Sequence, residues 1–390
     1  MIEARRPPSL VVVAGEPSGD FLGAAVVREI RSLRPDLEVF GLGGDELAAA
    51  GTELLSHVRD LSATGFFGVF LQVPRHNSIR RRLVEEVERR RPDAALFVDY
   101  PGFNIRVSGD LRAQGVPVAY YVAPKVWVWK TDDRPRFLAS HVDRMLVLFR
   151  FEEAIWRAAG IPVTFVGHPA RDLVRPAPDR AAFLSGVGLD PARPVLALLP
   201  GSRRPEVRRI LPALLAAAEE LVRREPSLQP LVALAASLDP GLLPPTLGGH
   251  PLRFAVGRTH EVLGAARLGL VACGTAALEA ALLGTPCVVV YRVDPLTHRF
   301  GLARVKISRY ALPNILAGRD VMPELIQEEM TPARIVEAAL PLLAEGEPRR
   351  RMLEGFGELL GEIGPPGAAA RAAAEVLQLI DSGRARRAFR

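Results

Sequence analysis

The sequence predicts an α/β chain of two Rossmann-like domains facing a cleft, with helices at the C-terminus. Three observations lead there. Runs of β-branched and aliphatic residues alternate with helical periodicity, the pattern of parallel strands joined by crossover helices. Glycine-containing turns follow those runs at the carboxyl ends of the strands, where open α/β sheets bind ligands. The alternation stops at Gly167-His168-Pro169 and the proline-rich stretch beyond it, then restarts, so 390 residues divide into about two domains. The expected boundaries are 1–170, 171–365 and a closing helix with a basic tail at 366–390 that packs back on the first domain.

Composition narrows the class. With 48% hydrophobic and 24% charged residues the chain reads as a globular protein able to bury large cores. Its net charge of +6 favours an anionic partner. Cys273 and Cys287 both sit in apolar runs without metal-ligand spacing, so the expectation is reduced thiols, no metal and a cytoplasmic setting. The N-terminus lacks the pattern of a secretory signal, and no window approaches the roughly 18 apolar residues that span a bilayer.

In chain order, SLVVVA (9–14) reads as the first strand and 15–20 as a Gly-rich turn whose glycines do not fit a dinucleotide fingerprint. Ser18 or Asp20 would cap the following helix, while Glu16 stands at a strand's carboxyl end. EVFGLGG (38–44) is a second strand and turn. The apolar stretch 62–73, with Phe66, Phe67 and Phe70, runs into a helix with seven arginines against three glutamates between 75 and 91. Either it is a buried phenylalanine cluster beside a solvated helix, or a segment lying in a membrane interface with Arg80 and Arg81 on anionic headgroups. AALFV is a buried-type strand that delivers Asp99 at its carboxyl end, an address shared by catalytic carboxylates and ordinary turn residues. Strands follow at 117–122, 144–149 and 163–167, with Trp127 and Trp129 read as packing and His168 as a structural hinge residue.

The second half begins with the strand PVLALL, then Gly201-Ser202-Arg203, a hydroxyl, a guanidinium and backbone N–H groups at a helix N-terminus, suited to diphosphate. Further strands lie at 231–236 and 253–256. The stretch 268–292 is strand, turn, short helix, strand. Gly274-Thr275 offers a second phosphate seat, and Glu279 is the sole charge on an otherwise apolar helix, either paired with an arginine or accepting from a ligand. An irregular segment reaches Pro323, and from Pro332 to about Ser382 the chain is helical.

Taken together, VAGEPSGD, VDYPGFN, APKVWVWK, FVGHP, LLPGSR, GTAALEAALLGTPCVVVYRVDPLT and LPNILAGRDVMPELIQE resemble the lipid-A-disaccharide synthase family, inverting glycosyltransferases of the two-domain B type. The resemblance covers nearly the whole chain. It implies transfer of a 2,3-diacylglucosamine unit from UDP-2,3-diacylglucosamine to 2,3-diacylglucosamine 1-phosphate, giving a β-1,6-linked disaccharide and UDP, in lipid A biosynthesis at the inner face of the inner membrane. It makes Asp99 the general base. It assigns UDP to Gly201, Ser202, Arg203, Gly274, Thr275 and Glu279, donor-site lining to Asn314 and Gln327, and the acceptor side to Glu16 and Ser18. The acyl chains favour the membrane reading for Phe66, Phe67, Phe70, Arg80 and Arg81, against an anionic membrane surface. No cofactor or metal is expected, since arginine and N–H dipoles can hold the leaving diphosphate, and a homodimer is compatible with the family. The sequence departs from the family's more usual residues at Tyr100, Gly102, Lys125 and Arg204-Pro205. The rival readings are a UDP-N-acetylglucosamine 2-epimerase, a transferase to another lipid-linked acceptor, a two-domain binding protein and, from charge alone, a nucleic-acid binder, for which no groove-reading motif speaks.

Overall fold

A computed structural model describes residues 6–61, 66–130, 132–294 and 305–388; the side chains at 66–73 and 386–388 lie outside the description. The chain divides into two compact units, Met1–Asp172 with Ile363–Arg390, and Leu173–Glu362. The sequence-based boundaries stood at 170/171 and 365/366.

The first unit holds a seven-stranded sheet in the order β3-β2-β1-β4-β5-β6-β7, parallel throughout. Its strands are β1 (Ser9–Ala14), β2 (Glu38–Gly43), β3 (Glu53–His57), β4 (Ala94–Val98), β5 (Val118–Tyr121), β6 (Arg144–Val147) and β7 (Val163–Phe165). Every residue of β1 and β4 is buried, as expected for central strands covered on both faces. The strand β3 escapes sequence reading because Glu53, Ser56 and His57 dilute its apolar run. The helix Ala368–Ala388 packs along the helix Pro17–Leu33 and against β4 and β5. Asp172 ties its start by accepting from the Gly367 N–H at 2.7 Å.

The second unit carries a six-stranded parallel sheet in the order β12-β9-β8-β13-β14-β15. These are β8 (Val195–Leu199), β9 (Gln229–Leu234), β12 (Arg253–Val256), β13 (Leu268–Ala272), β14 (Cys287–Tyr291) and β15 (Glu324–Ile326). A small hairpin, β10 (Thr246–Leu247) with β11 (His250–Pro251), stands apart from the sheet. The stretch after 292 is not wholly irregular: Leu312–Ala317 is helical and leads to β15. The C-terminal run read as one helical stretch is three helices, Pro332–Leu343, Glu347–Ile363 and Ala368–Ala388, broken at 344–346 and at Gly364-Pro365-Pro366-Gly367.

Each sheet grows outward from its first strand and then reverses, so each has a switch point, between β1 and β4 and between β8 and β13. Ligands of open α/β sheets bind at that point, outside the carboxyl ends.

Candidate active site

At the first switch point Ala14 of β1 is in register with Val98 of β4, so Gly15-Glu16 and Asp99-Tyr100 emerge side by side. A Cβ on Gly15 would lie 2.1 Å from the Tyr100 ring, so only glycine lets that ring close over the turn. Asp99 (φ +49°), Tyr100 (φ +51°) and Val122 (φ +62°) hold left-handed backbone at the ends of β4 and β5. Such conformations cost on the order of 1–3 kcal/mol each and persist where surroundings over-determine them. Here the Asp99 carbonyl accepts from the Tyr120 hydroxyl at 2.7 Å and from Asn104 Nδ2 at 2.8 Å, while its N–H donates to the Tyr121 carbonyl at 2.9 Å. The backbone carrying the acid is thereby clamped on three sides. Burial pushes the Asp99 carboxyl above the usual carboxylate range and the charge of Glu16 adds to the rise, against Lys125 and the Tyr100 N–H. A carboxylate raised in this way is a better proton acceptor.

Glu16 and Ser18 are exposed at the start of the helix Pro17–Leu33. The Gly-rich turn is shorter than the sequence suggests, because proline is tolerated in a first helical turn and the helix already begins at Pro17. Neither Ser18 nor Asp20 caps it. Buried Asp20 instead accepts from the N–H groups of Gly44 (2.6 Å), Glu46 (3.0 Å) and Leu47 (3.1 Å), holding the turn after β2.

Beyond β5, the buried Trp127 donates to Glu152 Oε1 at 3.0 Å, and burial pushes the Glu152 carboxyl up to about 7. His168 is buried against Phe149, its Nδ1 accepting from the Ala170 N–H at 3.1 Å, and burial with Lys125 pulls it down to about 4. His168 is a neutral core histidine. Trp129, read as packing, is 38% exposed.

The arginine-rich helix spans Phe66–Arg90. The side chains of Phe66, Phe67 and Phe70 lie outside the described residues. Arg80 is not free for a lipid headgroup: its Nε and Nη2 reach both oxygens of Asp110 at 2.6 and 2.7 Å, a bidentate bridge to the helix Pro101–Ala113. Arg81 is exposed. Among the described residues no helix is long and apolar enough to cross a membrane.

At the second switch point β8 and β13 pair in register at Leu199 and Val271, placing the turn at 201–203 beside the one at 273–275. The N–H groups of Ser202 and Arg203 are already taken: both donate to Glu206 Oε2, at 3.0 and 3.2 Å, and Arg203 Nη1 reaches Oε1 at 3.3 Å. This corrects the expectation of free amides, since Glu206 occupies the anion seat of its own turn. Gly201 (φ +113°) is required there, because a Cβ would lie 2.7 Å from Glu206 Oε2. What the turn leaves to solvent is exposed Ser202 and the Arg203 side chain, 75% exposed. Spacing could have revealed Glu206, three residues after Arg203 in the capping-box position.

Gly274 and Thr275 are exposed at the start of the helix Thr275–Leu282, with open space around Gly274. Ala277, Leu278, Ala280 and Ala281 are buried as the apolar pattern requires, but Glu279 is only half-buried. Among the described residues its partner is a histidine and not an arginine: Glu279 Oε2 lies 3.7 Å from His260 Nε2 on the helix Thr259–Ala265, and this contact raises the His260 imidazole. Asn314 is fully buried and spends its amide inside the chain, donating to Met322 O (2.8 Å) and Glu324 Oε1 (2.7 Å) and accepting from the Val321 and Met322 N–H groups (both 2.8 Å). It therefore positions the chain before β15 rather than presenting an amide to a ligand. Gln327, at φ +57° and buried, accepts from the Val293 N–H at 2.9 Å. Cys287 is a buried thiol pushed up to about 12, and the half-buried Cys273 donates from Sγ to the Tyr310 carbonyl at 3.2 Å.

Comparison with known proteins fits this geometry. The family model for lipid-A-disaccharide synthetase matches residues 10–362. The chain is 45% identical over 381 residues to lipid-A-disaccharide synthase of Myxococcus xanthus, covering 97% of this chain and 99% of that protein. It is 41% identical to the synthase of Anaeromyxobacter dehalogenans, covering 96% and 98%. Among solved structures, the fold resembles UDP-GlcNAc 2-epimerase from Neisseria meningitidis bound to UDP-GlcNAc, with a TM-score of 0.59, 12% identity and coverage of 96% and 100%. It also resembles a calicheamicin glycosyltransferase, with a TM-score of 0.57, 19% identity and coverage of 97% and 99%. The epimerase likeness at that identity is one of fold alone, and the sequence matches set that rival aside. The chain belongs to the lipid-A-disaccharide synthase family: it is a glycosyltransferase of the B-type fold in lipid A biosynthesis, acting between a nucleotide sugar and a lipid acceptor.

Proposed function

We propose that the protein transfers 2,3-diacylglucosamine from its UDP derivative to 2,3-diacylglucosamine 1-phosphate, with Asp99 as general base. The placement of Asp99 carries this reading: a carboxyl of raised proton affinity on a clamped backbone at the switch point of the first sheet. Asp99 takes the proton of the acceptor's 6-hydroxyl as that oxygen bonds to the donor's anomeric carbon and the bond to UDP breaks on the opposite face, giving the β-1,6 linkage. Arg203, the Ser202 hydroxyl and the open turn at Gly274-Thr275 take the charge that develops on the departing diphosphate, with no metal or cofactor. Gly201 shapes the turn, Glu279 accepts from the ribose hydroxyls with His260 orienting it, and Gln327 lines the donor site. Asn314 acts through the segment it holds.

Glu16 and Ser18 serve the acceptor side. The segment with Phe66, Phe67 and Phe70 receives acyl chains, and Arg81 meets the anionic inner face of the inner membrane. The test is to mix the two acylated substrates with the protein and analyse the products. Acceptor-dependent UDP and a β-linked disaccharide 1-phosphate are expected; conversion of UDP-N-acetylglucosamine to its 2-epimer without acceptor would overturn the reading.

A further inference from the structure

Four arginines of the second unit gather at the edge of its sheet opposite the proposed donor turns. Arg193 and Pro194 lead into β8 and Arg267 leads into β13, the Arg267 N–H donating to the Val195 carbonyl at 2.8 Å. The turns at 201–203 and 273–275 follow the other ends of these five-residue strands, about 17 Å away at about 3.3 Å per residue. At the amino ends lies a recess of about 410 Å³ lined by Arg180, Arg193, Arg267 and Arg349, with Pro191 and Pro194 in its walls. Backbone carbonyls fix all four guanidinium groups. Arg180 donates to Ala265 O (3.2 Å) and Pro191 O (2.8 Å), Arg193 to Ser227 O (2.9 Å) and Pro226 O (2.6 Å), and Arg267 to Leu343 O (2.9 and 2.7 Å). Arg349 Nη1 reaches Arg267 O at 2.9 Å and Leu342 O at 3.0 Å, so its acceptor stands two residues from that of Arg180.

Carbonyl acceptors satisfy these N–H groups but do not neutralise the charge. Among the described residues one carboxylate answers the four cations: Glu345, 79% exposed, lies 2.5 Å from Arg267 and 4.0 Å from Arg349. Arg180 and Arg193 pair with no acid among the described residues, and no hydrogen bond there uses Arg180 Nη2, Arg193 Nη1 or Arg349 Nη2. Gathering like charges in a partly buried place costs free energy. Arg349 shows that cost: burial and the charge of Arg267 loosen its hold on its proton, against Glu345. It also stands in the first turn of the helix Glu347–Ile363, the end where the helix dipole disfavours a cation. An anion in the recess would relieve the repulsion. Planar guanidinium forks match the oxygens of a phosphate, and groups already pinned lose little freedom on binding it.

We propose that this recess binds a phosphate-bearing anion of two or more charges, at a site separate from the donor turns. The probe is pyrophosphate, titrated by calorimetry into the native protein, Arg180→Gln/Arg193→Gln, Glu345→Gln and Arg203→Met. The native protein should bind it, and loss of the two guanidinium groups should weaken that binding about 10- to 100-fold, the range of charge-assisted hydrogen bonds. Glu345→Gln removes the competing carboxylate while two bonds to Leu343 still hold Arg267, so it should tighten binding roughly 2- to 5-fold. The site lost in Arg180→Gln/Arg193→Gln should remain in Arg203→Met. No binding by the native protein, binding unchanged in the double variant, no gain in Glu345→Gln, or a single site that Arg203→Met abolishes would each overturn the proposal. Vesicles of phosphatidylglycerol give the source of the phosphate. Weaker sedimentation of the double variant with them would make it a lipid headgroup, and sedimentation equal to the native protein's, beside the calorimetric loss, would make it a free anion; either outcome supports the recess as the seat. None of these readings needs turnover or either acylated substrate.

Discussion

Replacing Tyr120 by phenylalanine removes one oxygen and leaves a fully buried ring, packed edge-on against Phe97 at 6.0 Å, in place. What is lost is the 2.7 Å hydrogen bond to the Asp99 carbonyl, leaving the 2.8 Å bond from Asn104 to hold it. One such bond contributes about 1 kcal/mol, against strain on the order of 1–3 kcal/mol at each of Asp99 and Tyr100. The melting temperature of Tyr120→Phe should fall by roughly 2–4 °C, the scale for about 1 kcal/mol in a domain of this size. Activity should fall further than stability, because an Asp99 backbone free to relax misplaces the carboxyl, and a displacement of about 1 Å can cost about 100-fold. We expect kcat for UDP release to drop roughly 10-fold with UDP affinity unchanged, and Asn104→Ala combined with Tyr120→Phe to exceed the sum of the two. The assays are a thermal melt, steady-state UDP release and UDP titration. A melting loss of the expected size with an unaltered kcat would refute the claim that this clamp aims the base.

Glu206→Ala should release the Gly201–Arg203 turn and weaken UDP binding roughly 10-fold by calorimetry, in line with the loss of a cap and of a fixed guanidinium; tighter binding would show instead that the carboxylate competes with the diphosphate. Glu16→Gln removes a negative charge that favours protonated Asp99, so the acid limb of the pH–rate profile should move to lower pH, and a move to higher pH would contradict the field described at Asp99. Glu152 keeps its proton to about 7 in the folded chain against 4.5 ordinarily, so it lowers stability as pH rises through that window, by on the order of 3 kcal/mol. His168, with its folded value near 4 against 6.5, has the opposite slope. Glu152→Gln should therefore be more stable than the native protein at pH 8 and show stability rising with pH below 6.5 by chemical denaturation; a profile parallel to the native one would contradict this account of the two buried groups.

The two sheets and Asp99 were legible in the sequence because buried central strands such as SLVVVA and AALFV are continuous apolar runs, and the charge that ends each run marks the carboxyl edge. The clamp on Asp99 was not, since Tyr120 read as one more strand residue and Asn104 as part of a turn. Their roles exist only once β4 lies beside β5. The turn at 201–203 follows a strand as the sequence predicts and lies at the second switch point, but its amides read as free because nothing in that reading pairs Glu206 back to the turn. Arg80 shows the same limit, its partner Asp110 lying thirty residues away on another helix. Asn314 was legible as a special position and not as a spent one, because only packing shows which amide groups face inward.

The most direct test of the central claim is UDP release from UDP-2,3-diacylglucosamine, with and without 2,3-diacylglucosamine 1-phosphate, by the native protein and Asp99→Asn. Loss of a general base costs about 100-fold or more, so release should require the acceptor and fall at least that far in the variant, while the variant still binds UDP. Release that ignores the acceptor, or that persists undiminished in Asp99→Asn, would contradict the assignment of Asp99 as the base of a transferase.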